Sequence, residues 1–261
     1  MLILLPPSEG KAVVGTGDPV QLGALSFPEL TKRRESLMTA VEKLANGRAT
    51  TARRVLGLSP RQDAELERDR SLRTAPAAPA VEVYTGVLYE ALAYGSLPAA
   101  ARRRLDRWVV VSSALWGAVR LTDRVPAYRL SADVTLPRLG KVATGWRKPL
   151  ARVMPAEAGD KVVLDLRSGP YAAMWTPTGD LAEQTLVARV LQRRADGSVS
   201  VVSHHNKATK GRLVAQLART GVAPNSPKAL AEALSSHGAE VDLAEPGAGR
   251  PGRLDIVVHD L

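Results

Sequence analysis

The chain has 261 residues, 45% of them hydrophobic, with 36 Lys and Arg against 26 Asp and Glu and no cysteine. That length buries a substantial core, and the missing cysteine excludes disulfides, thiolate metal sites and a cysteine nucleophile. A formal charge of +10 and a sequence pI of about 10.2 point to a polyanion or a phosphorylated ligand as partner, and no apolar run is long enough for a spanning helix.

In chain order, residues 2–5 (LILL) are a continuous apolar run, the pattern of a strand buried on both faces. Pro6 and Pro7 end it, because proline has no N–H for the ladder and holds its predecessor extended. From Phe27 the spacing predicts a helix, with Ser26 as its cap, Glu29 three residues on, and Leu30, Leu37, Val41 and Leu44 on one face. Residues 49–72 predict two short helices around a turn at 57–60, and the proline-rich stretch 74–80 reads as a flexible tether. Residues 84–92 predict a further helix, and the apolar run from Trp108 predicts a buried strand that turns at Ser112 and Ser113. Strands follow from Val162, from Thr185 with a hairpin partner from Ser198 across Asp196-Gly197, and from Leu254. Helices begin at Lys207 and at Ser226, the latter with Ser226 as cap and Pro227 in the first position. The order of elements gives an α/β (α+β) fold with a mixed, largely buried sheet flanked by helices, in one domain over residues 1–261.

Several strand ends carry more polar chemistry than a scaffold needs. The first presents Ser8, Glu9 and Lys11, the place where open α/β sheets hold ligands. It superficially ends like a phosphate-binding P-loop but lacks the upstream glycine, the spacing and the following Ser or Thr, so that reading is rejected. Tyr84-Thr85-Gly86 opens a helix, where free N–H groups hold anions. Residues 112–130 (SSALWGAVRLTDRVPAYRL) add Ser113, Arg120, Asp123, Tyr128 and Arg129; guanidinium groups near a hydroxyl and a carboxylate suit phosphate or carboxylate recognition. The plain alternative is that Arg120 pairs with Asp123. A fourth stretch runs from Asp165 to Tyr171, and a fifth supplies Lys207, Lys210 and Arg212. Convergence of such loops from one sheet is the argument for a site.

The blocks MLILLPPSEGK, VYTGVLYEAL, SSALWGAVRLTDRVPAYRL, the later Trp146, VVLDLRSGPY and HHNKATKGRLV resemble, in the same order, those of the YaaA family of peroxide stress proteins. The resemblance runs from residue 1 to about residue 215 and is strongest around Leu115, Gly117, Arg120, Asp123, Tyr128, Arg129 and Leu130. It implies a cytoplasmic protein of unusual α/β architecture with a helix-hairpin-helix element and a positively charged cleft. It also implies DNA binding and a role in limiting intracellular iron and oxidative DNA damage; it implies no particular reaction.

Two classes of function are therefore carried. In the first, the cleft binds DNA through phosphate contacts from Arg120, Arg129, Lys207, Lys210 and Arg212. In the second, it holds a small nucleotide, nucleobase or other anionic ligand and acts as an enzyme, in a biosynthetic pathway or with haem or iron. Glu9, Lys11 and Asp123 are then the catalytic candidates, and Ser8, Lys11, Tyr84, Ser113 and Tyr128 ligand-binding residues. His204 and His205 are the weak candidates for haem or iron; taken as neighbours on a strand they face opposite ways. No cofactor, reaction or oligomeric state is legible.

Overall fold

The structure is a computed structural model that describes residues 1–193, 199–201, 203–236 and 240–259, without the side chains of 193, 199–201, 203–205 and 259. At its centre lies a mixed eight-stranded sheet. Its strands are β1 (Leu2–Leu5), β2 (Val109–Ser113), β3 (Gly117–Val119), β4 (Val163–Asp165), β5 (Thr185–Arg193), β6 (Val199–Val201), β7 (Glu240–Ala244) and β8 (Gly252–His259). They lie in the order β7-β8-β5-β4-β1-β2-β3, with β6 also on β5. Strands β1, β2, β4, β5 and β8 run parallel; β3, β6 and β7 run against their neighbours.

The apolar run at the start behaves as its pattern requires. All four β1 residues are 0% exposed, because β2 pairs with one edge and β4 with the other while helices cover the faces. From β1 the chain first moves to β2 on one side; it later returns to lay β4 on the other side and continues outward to β5. The strand order therefore reverses at β1, and the crevice between the carboxyl ends of β1 and β4 is where such a sheet leaves room for a ligand.

The principal helices are α1 (Thr31–Ala45), α2 (Ala49–Leu56), α3 (Asp63–Arg70), α4 (Val87–Leu92), α5 (Ala99–Trp108), α6 (Val142–Ala158), α7 (Ser203–Thr220) and α8 (Pro227–Ser235). The pair α2 and α3 around a turn agrees with the sequence, as does α8, whose Ser226 hydroxyl accepts from the Ala229 N–H at 3.1 Å. The pairing of β5 with β6 agrees too, and its Asp196-Gly197 connection lies outside the described residues.

Elsewhere tertiary contacts override the local pattern. Ser26 does not cap α1: its N–H and hydroxyl both bind the Asp123 carboxylate, and Phe27 turns left-handed with φ 61°. Residues 74–80 are built into the fold. Ala77 donates to the Asp18 carbonyl, Ala78 and Pro79 pair with Val125 and Arg124, and Ala77, Ala78 and Ala80 are buried. Tyr84 lies extended, bridged to Lys11, and the helix expected there starts at Val87. Ser112 and Ser113 stay in β2, and the chain turns only after them. Finally, α7 begins at Ser203, so the backbone at His204 and His205 is helical and the strand argument about their directions does not apply; their side chains lie outside the described residues. Among the described residues no helix is long and apolar enough to cross a membrane.

Helix α7 reaches the crevice by close packing on α4. A Cβ added to Gly211 would stand 2.2 Å from the Leu88 carbonyl oxygen and 2.8 Å from the Leu92 nitrogen, both backbone atoms with little freedom to yield. Gly211→Ala is expected to push the two helices apart and to destabilise the fold by about 2 kcal/mol, as overpacking does. Thermal unfolding should show a midpoint lowered by roughly 5 °C; an unchanged midpoint contradicts this packing.

Candidate functional site

At the carboxyl ends of β1 and β4 lies a cavity of about 520 Å³. Its turn side is formed by Pro6, Pro7, Ser8, Glu9 and Gly10, its opposite side by Asn206, Lys207 and Lys210 of α7, and its other walls by residues 85–89 with Leu166, Ser168 and Tyr171. Four of the five stretches singled out in the sequence thus meet in one place, the 112–130 block being the exception.

The 8–10 turn is fixed from several directions. The Ser8 hydroxyl accepts the Thr85 N–H at 2.9 Å and donates to the Gly10 carbonyl at 2.5 Å. The Tyr89 hydroxyl donates to the Pro6 carbonyl at 2.8 Å. Beneath the turn, the Lys11 ammonium donates to the carbonyls of Ser8 at 2.9 Å and Glu9 at 3.3 Å, and lies 4.1 Å from the centre of the Tyr128 ring. Burial, followed by the charge of Arg129, pulls the Lys11 pKa down to about 7, while Asp69, Glu65 and Glu9 pull the other way.

Asp69, on α3, is the hidden partner of this arrangement. It is 0% exposed, its Oδ1 accepts the Arg129 N–H at 2.8 Å, and its Oδ2 has no partner among the described residues. Burial pushes its carboxyl up to about 8 against the pull of that N–H and of Lys11. Burial thus drives both Lys11 and Asp69 toward their uncharged forms. The Arg129 guanidinium leaves Asp69 and pairs at 3.2 Å with Glu9, whose side chain is 74% exposed at the cavity. Glu9 is thus open to solvent at the cavity rather than buried with Lys11 and Asp69.

The residues of the 112–130 block are mostly scaffolding. The Ser113 and Tyr128 hydroxyls are 2.7 Å apart, those of Tyr128 and Tyr84 3.2 Å, and the Trp116 N–H donates to Ser113 at 3.0 Å. Burial keeps Tyr84 (about 12), Tyr89 and Tyr128 as neutral phenols. Trp146 donates to the Ala114 carbonyl at 2.7 Å, and buried Arg34 holds the carbonyls of Trp116 and Ala118 at 2.9 Å. Arg120 ion-pairs with Glu157 at 2.7 Å and donates to the Arg107 carbonyl at 2.8 Å, at the amino end of β2 and away from the cavity. Asp123 spends its oxygens on Ser26 and on the Arg120 N–H at 2.9 Å.

On the α7 side, Lys210 donates to the Leu166 carbonyl at 3.0 Å, and burial lowers its pKa against the opposing charge of Asp165. Lys207 is exposed at the cavity, and Arg212 is exposed but not among its lining residues. The structure therefore brings Ser8, Glu9, Lys207 and Lys210 to the cavity. It sets Lys11, Tyr84, Ser113, Tyr128 and Arg129 behind the turn, and it places Arg120 and Asp123 elsewhere. Asp69, Tyr89 and Asn206 were not singled out in the sequence. Asp69 recurs three residues after the buried Leu66 on α3, but that signal is lost among the helix's other charges. Among the described residues no group of three or more His, Asp or Glu is placed to hold a metal ion.

The wall bearing Ser168 and Tyr171 depends on a buried ion pair. Arg167 binds Asp165 with both ends of its fork, at 2.9 and 2.7 Å, and donates to the Trp175 carbonyl at 2.8 Å. Arg167→Met leaves Asp165 as an uncompensated buried carboxylate and is expected to cost about 3–5 kcal/mol, since breaking a buried pair is worse than lacking one. Thermal melts should fall by roughly 10 °C; a shift under ~2 °C contradicts the assignment. For Lys11 the sign is the reverse of an ordinary stabilising pair. Its folded pKa lies below the unfolded value, so the unfolded chain binds more protons and Lys11 makes stability rise as pH increases from about 7 to 10.5. Asp69 contributes a fall that ends near pH 8. Between about pH 8.5 and 10 the wild type should therefore gain stability relative to Lys11→Met in denaturant unfolding; a constant difference contradicts a buried, depressed lysine.

The family model for peroxide stress protein YaaA matches residues 1–241. UPF0246 protein SCO2297 of Streptomyces coelicolor is 51% identical over 262 residues, covering 100% of both chains. UPF0246 protein CE1889 of Corynebacterium efficiens is 40% identical over 260 residues, covering 99% of this chain and 100% of the relative. The resemblance carried by the sequence blocks is thus met along nearly the whole chain, which belongs to the YaaA family of peroxide stress proteins.

Proposed function

We propose that this peroxide stress family member works by holding a small anionic ligand in the crevice between the ends of β1 and β4. The observation that carries the reading is the cavity of about 520 Å³ at the point where the strand order reverses. Small-molecule sites typically span roughly 300–1,000 Å³, largely apolar with a few convergent polar groups. Here Pro6, Pro7, Leu88 and Leu166 supply the apolar wall, and Ser8, Glu9, Asn206 and Lys207 the polar groups. Lys207 is the cation for the anion: it is exposed and has no ion pair among the described residues, whereas Lys210 already donates to Leu166. Where the ligand reacts, Glu9 is the carboxylate at hand and Lys11 positions it through the turn. Asp123 has no part in this reading.

The second reading is DNA binding in the cytoplasm, with protection of DNA from iron-dependent oxidative damage. The formal charge of +10 favours it, as does the family's description as a peroxide stress protein. The exposed Lys207 and Arg212 are its phosphate contacts, since Lys210 is buried on the Leu166 carbonyl and Arg129 is paired with Glu9. The two readings differ in salt dependence and in size of ligand. Calorimetric titration with small phosphorylated compounds should give saturable binding that Lys207→Ala weakens about tenfold, the scale of one charge-assisted hydrogen bond. Fluorescence anisotropy with labelled duplex and single-stranded DNA should give binding that vanishes near physiological salt. Sub-micromolar DNA binding with a steep salt slope, and no uptake of small phosphorylated compounds, contradicts the pocket reading in favour of DNA.

A further inference from the structure

We infer that the ligand of this cavity is a free mononucleotide, its base held against the tyrosine and proline wall and read by Asn206, its phosphate taken by Lys207. The inference rests on the reading of the cavity as the working site and narrows it to one chemical class.

The first observation is the wall. Tyr89 and Tyr171 line the cavity together with Pro6, Pro7, Leu88 and Leu166. Tyr89 is fixed by its hydroxyl on the Pro6 carbonyl at 2.8 Å and by its ring against Tyr84, centroids 5.4 Å apart, so its ring is a fixed surface. A flat aromatic body buries its faces against such a wall without leaving polar groups unpaired. A polyhydroxylated ligand offers such a wall a smaller apolar face than a base does.

The second observation is Asn206. It lines the same cavity, and its Oδ1 is buried without a donor among the described residues. A buried unpaired acceptor is a group waiting for a donor. A carboxamide carries one acceptor and two donors in a single plane, the complement of a nitrogen base whose edge mixes N–H donors with acceptors. Sulfate and simple carboxylates carry acceptors alone and do not satisfy it, and inorganic phosphate offers only a P–OH with no base edge to match the carboxamide.

The third is the order of charges. Lys210 is buried and committed to Leu166, while Lys207, the residue after Asn206, is exposed. The anionic end of the ligand therefore falls at the Lys207 side and the base further in. Glu9, the carboxylate at the cavity, is offset by Arg129 at 3.2 Å and does not turn the phosphate away. The cavity is far larger than an inorganic phosphate fills and is of the size that takes a drug-sized molecule.

The test titrates the full chain calorimetrically with the four common ribonucleoside 5′-monophosphates, their nucleosides, ribose 5-phosphate, inorganic phosphate and a single-stranded tetranucleotide. At least one monophosphate should bind about tenfold or more tightly than ribose 5-phosphate. Lys207→Ala should weaken that monophosphate about tenfold and leave its nucleoside unchanged, while Asn206→Ala should weaken both and leave ribose 5-phosphate unchanged. Thermal melts establish that the variants fold, and the comparison among probes on the wild type stands without them. Ribose 5-phosphate or phosphate binding as tightly as any monophosphate, with Lys207→Ala weakening it, overturns the nucleotide but leaves the cavity as an anion site. The tetranucleotide binding more than about tenfold tighter than every monophosphate overturns a free nucleotide in favour of nucleic acid. No binding by any probe overturns the inference and the cavity reading together.

Discussion

A lysine buried beneath a turn is the constraint on which the candidate site depends. Lys11 is 8% exposed, has no carboxylate within ion-pair distance among the described residues, and is held instead by two backbone carbonyls and an aromatic face. Those two carbonyls belong to Ser8 and Glu9, so the amine draws the turn inward while Ser8 ties it sideways to Thr85. The turn has little freedom on its other flank either, because Pro6 and Pro7 restrict the chain leaving β1. A buried amine without a counter-ion is a cost, and it is borne at a place where the shape of the backbone matters.

From that point the rest of the site follows by layers. The Tyr128 ring that faces Lys11 is set by Ser113 and Tyr84, and Ser113 is set by the Trp116 N–H. Trp116 in turn lies edge-on to Tyr128, with centroids 5.9 Å apart, and its carbonyl is held by Arg34. Trp146 covers Gly117 so closely that a Cβ there would be 2.6 Å from the ring. The block carrying the strongest family resemblance thus acts largely as the mould behind the turn. The lining of the cavity comes from the ends of β1 and β4, from residues 85–89 and from α7.

Much of the fold was legible for simple reasons. A run such as Leu2–Leu5, with no polar alternation, has one comfortable place in a sheet, and a Ser-Pro pair before an apolar-periodic stretch marks a helix start, as at Ser226. The misreadings share one cause, contacts between residues far apart in sequence. Ser26 has the local pattern of a cap, but Asp123, 97 positions on, takes its N–H and hydroxyl. The 74–80 stretch has the composition of a linker, yet its alanines are small enough to be buried against residues 124 and 125. Of the site, the turn and the lysines of α7 were legible because strand ends and helix starts are where polar residues have work to do. Tyr89 was not, since its value lies in a bond to Pro6, 83 residues away, and an aromatic residue on a helix reads as core. Asp69 was hidden for the opposite reason: one buried carboxylate in a strongly charged helix looks like its exposed neighbours.

The most direct test of this account is the titration of the Lys11 side-chain nitrogen followed by nitrogen-15 NMR, with Lys11→Arg to assign the signal. The account predicts a midpoint near 7, set by burial and the nearby Arg129. A midpoint close to the ordinary lysine value of about 10.4 would mean an amine open to water, and with it a turn that Lys11 does not hold.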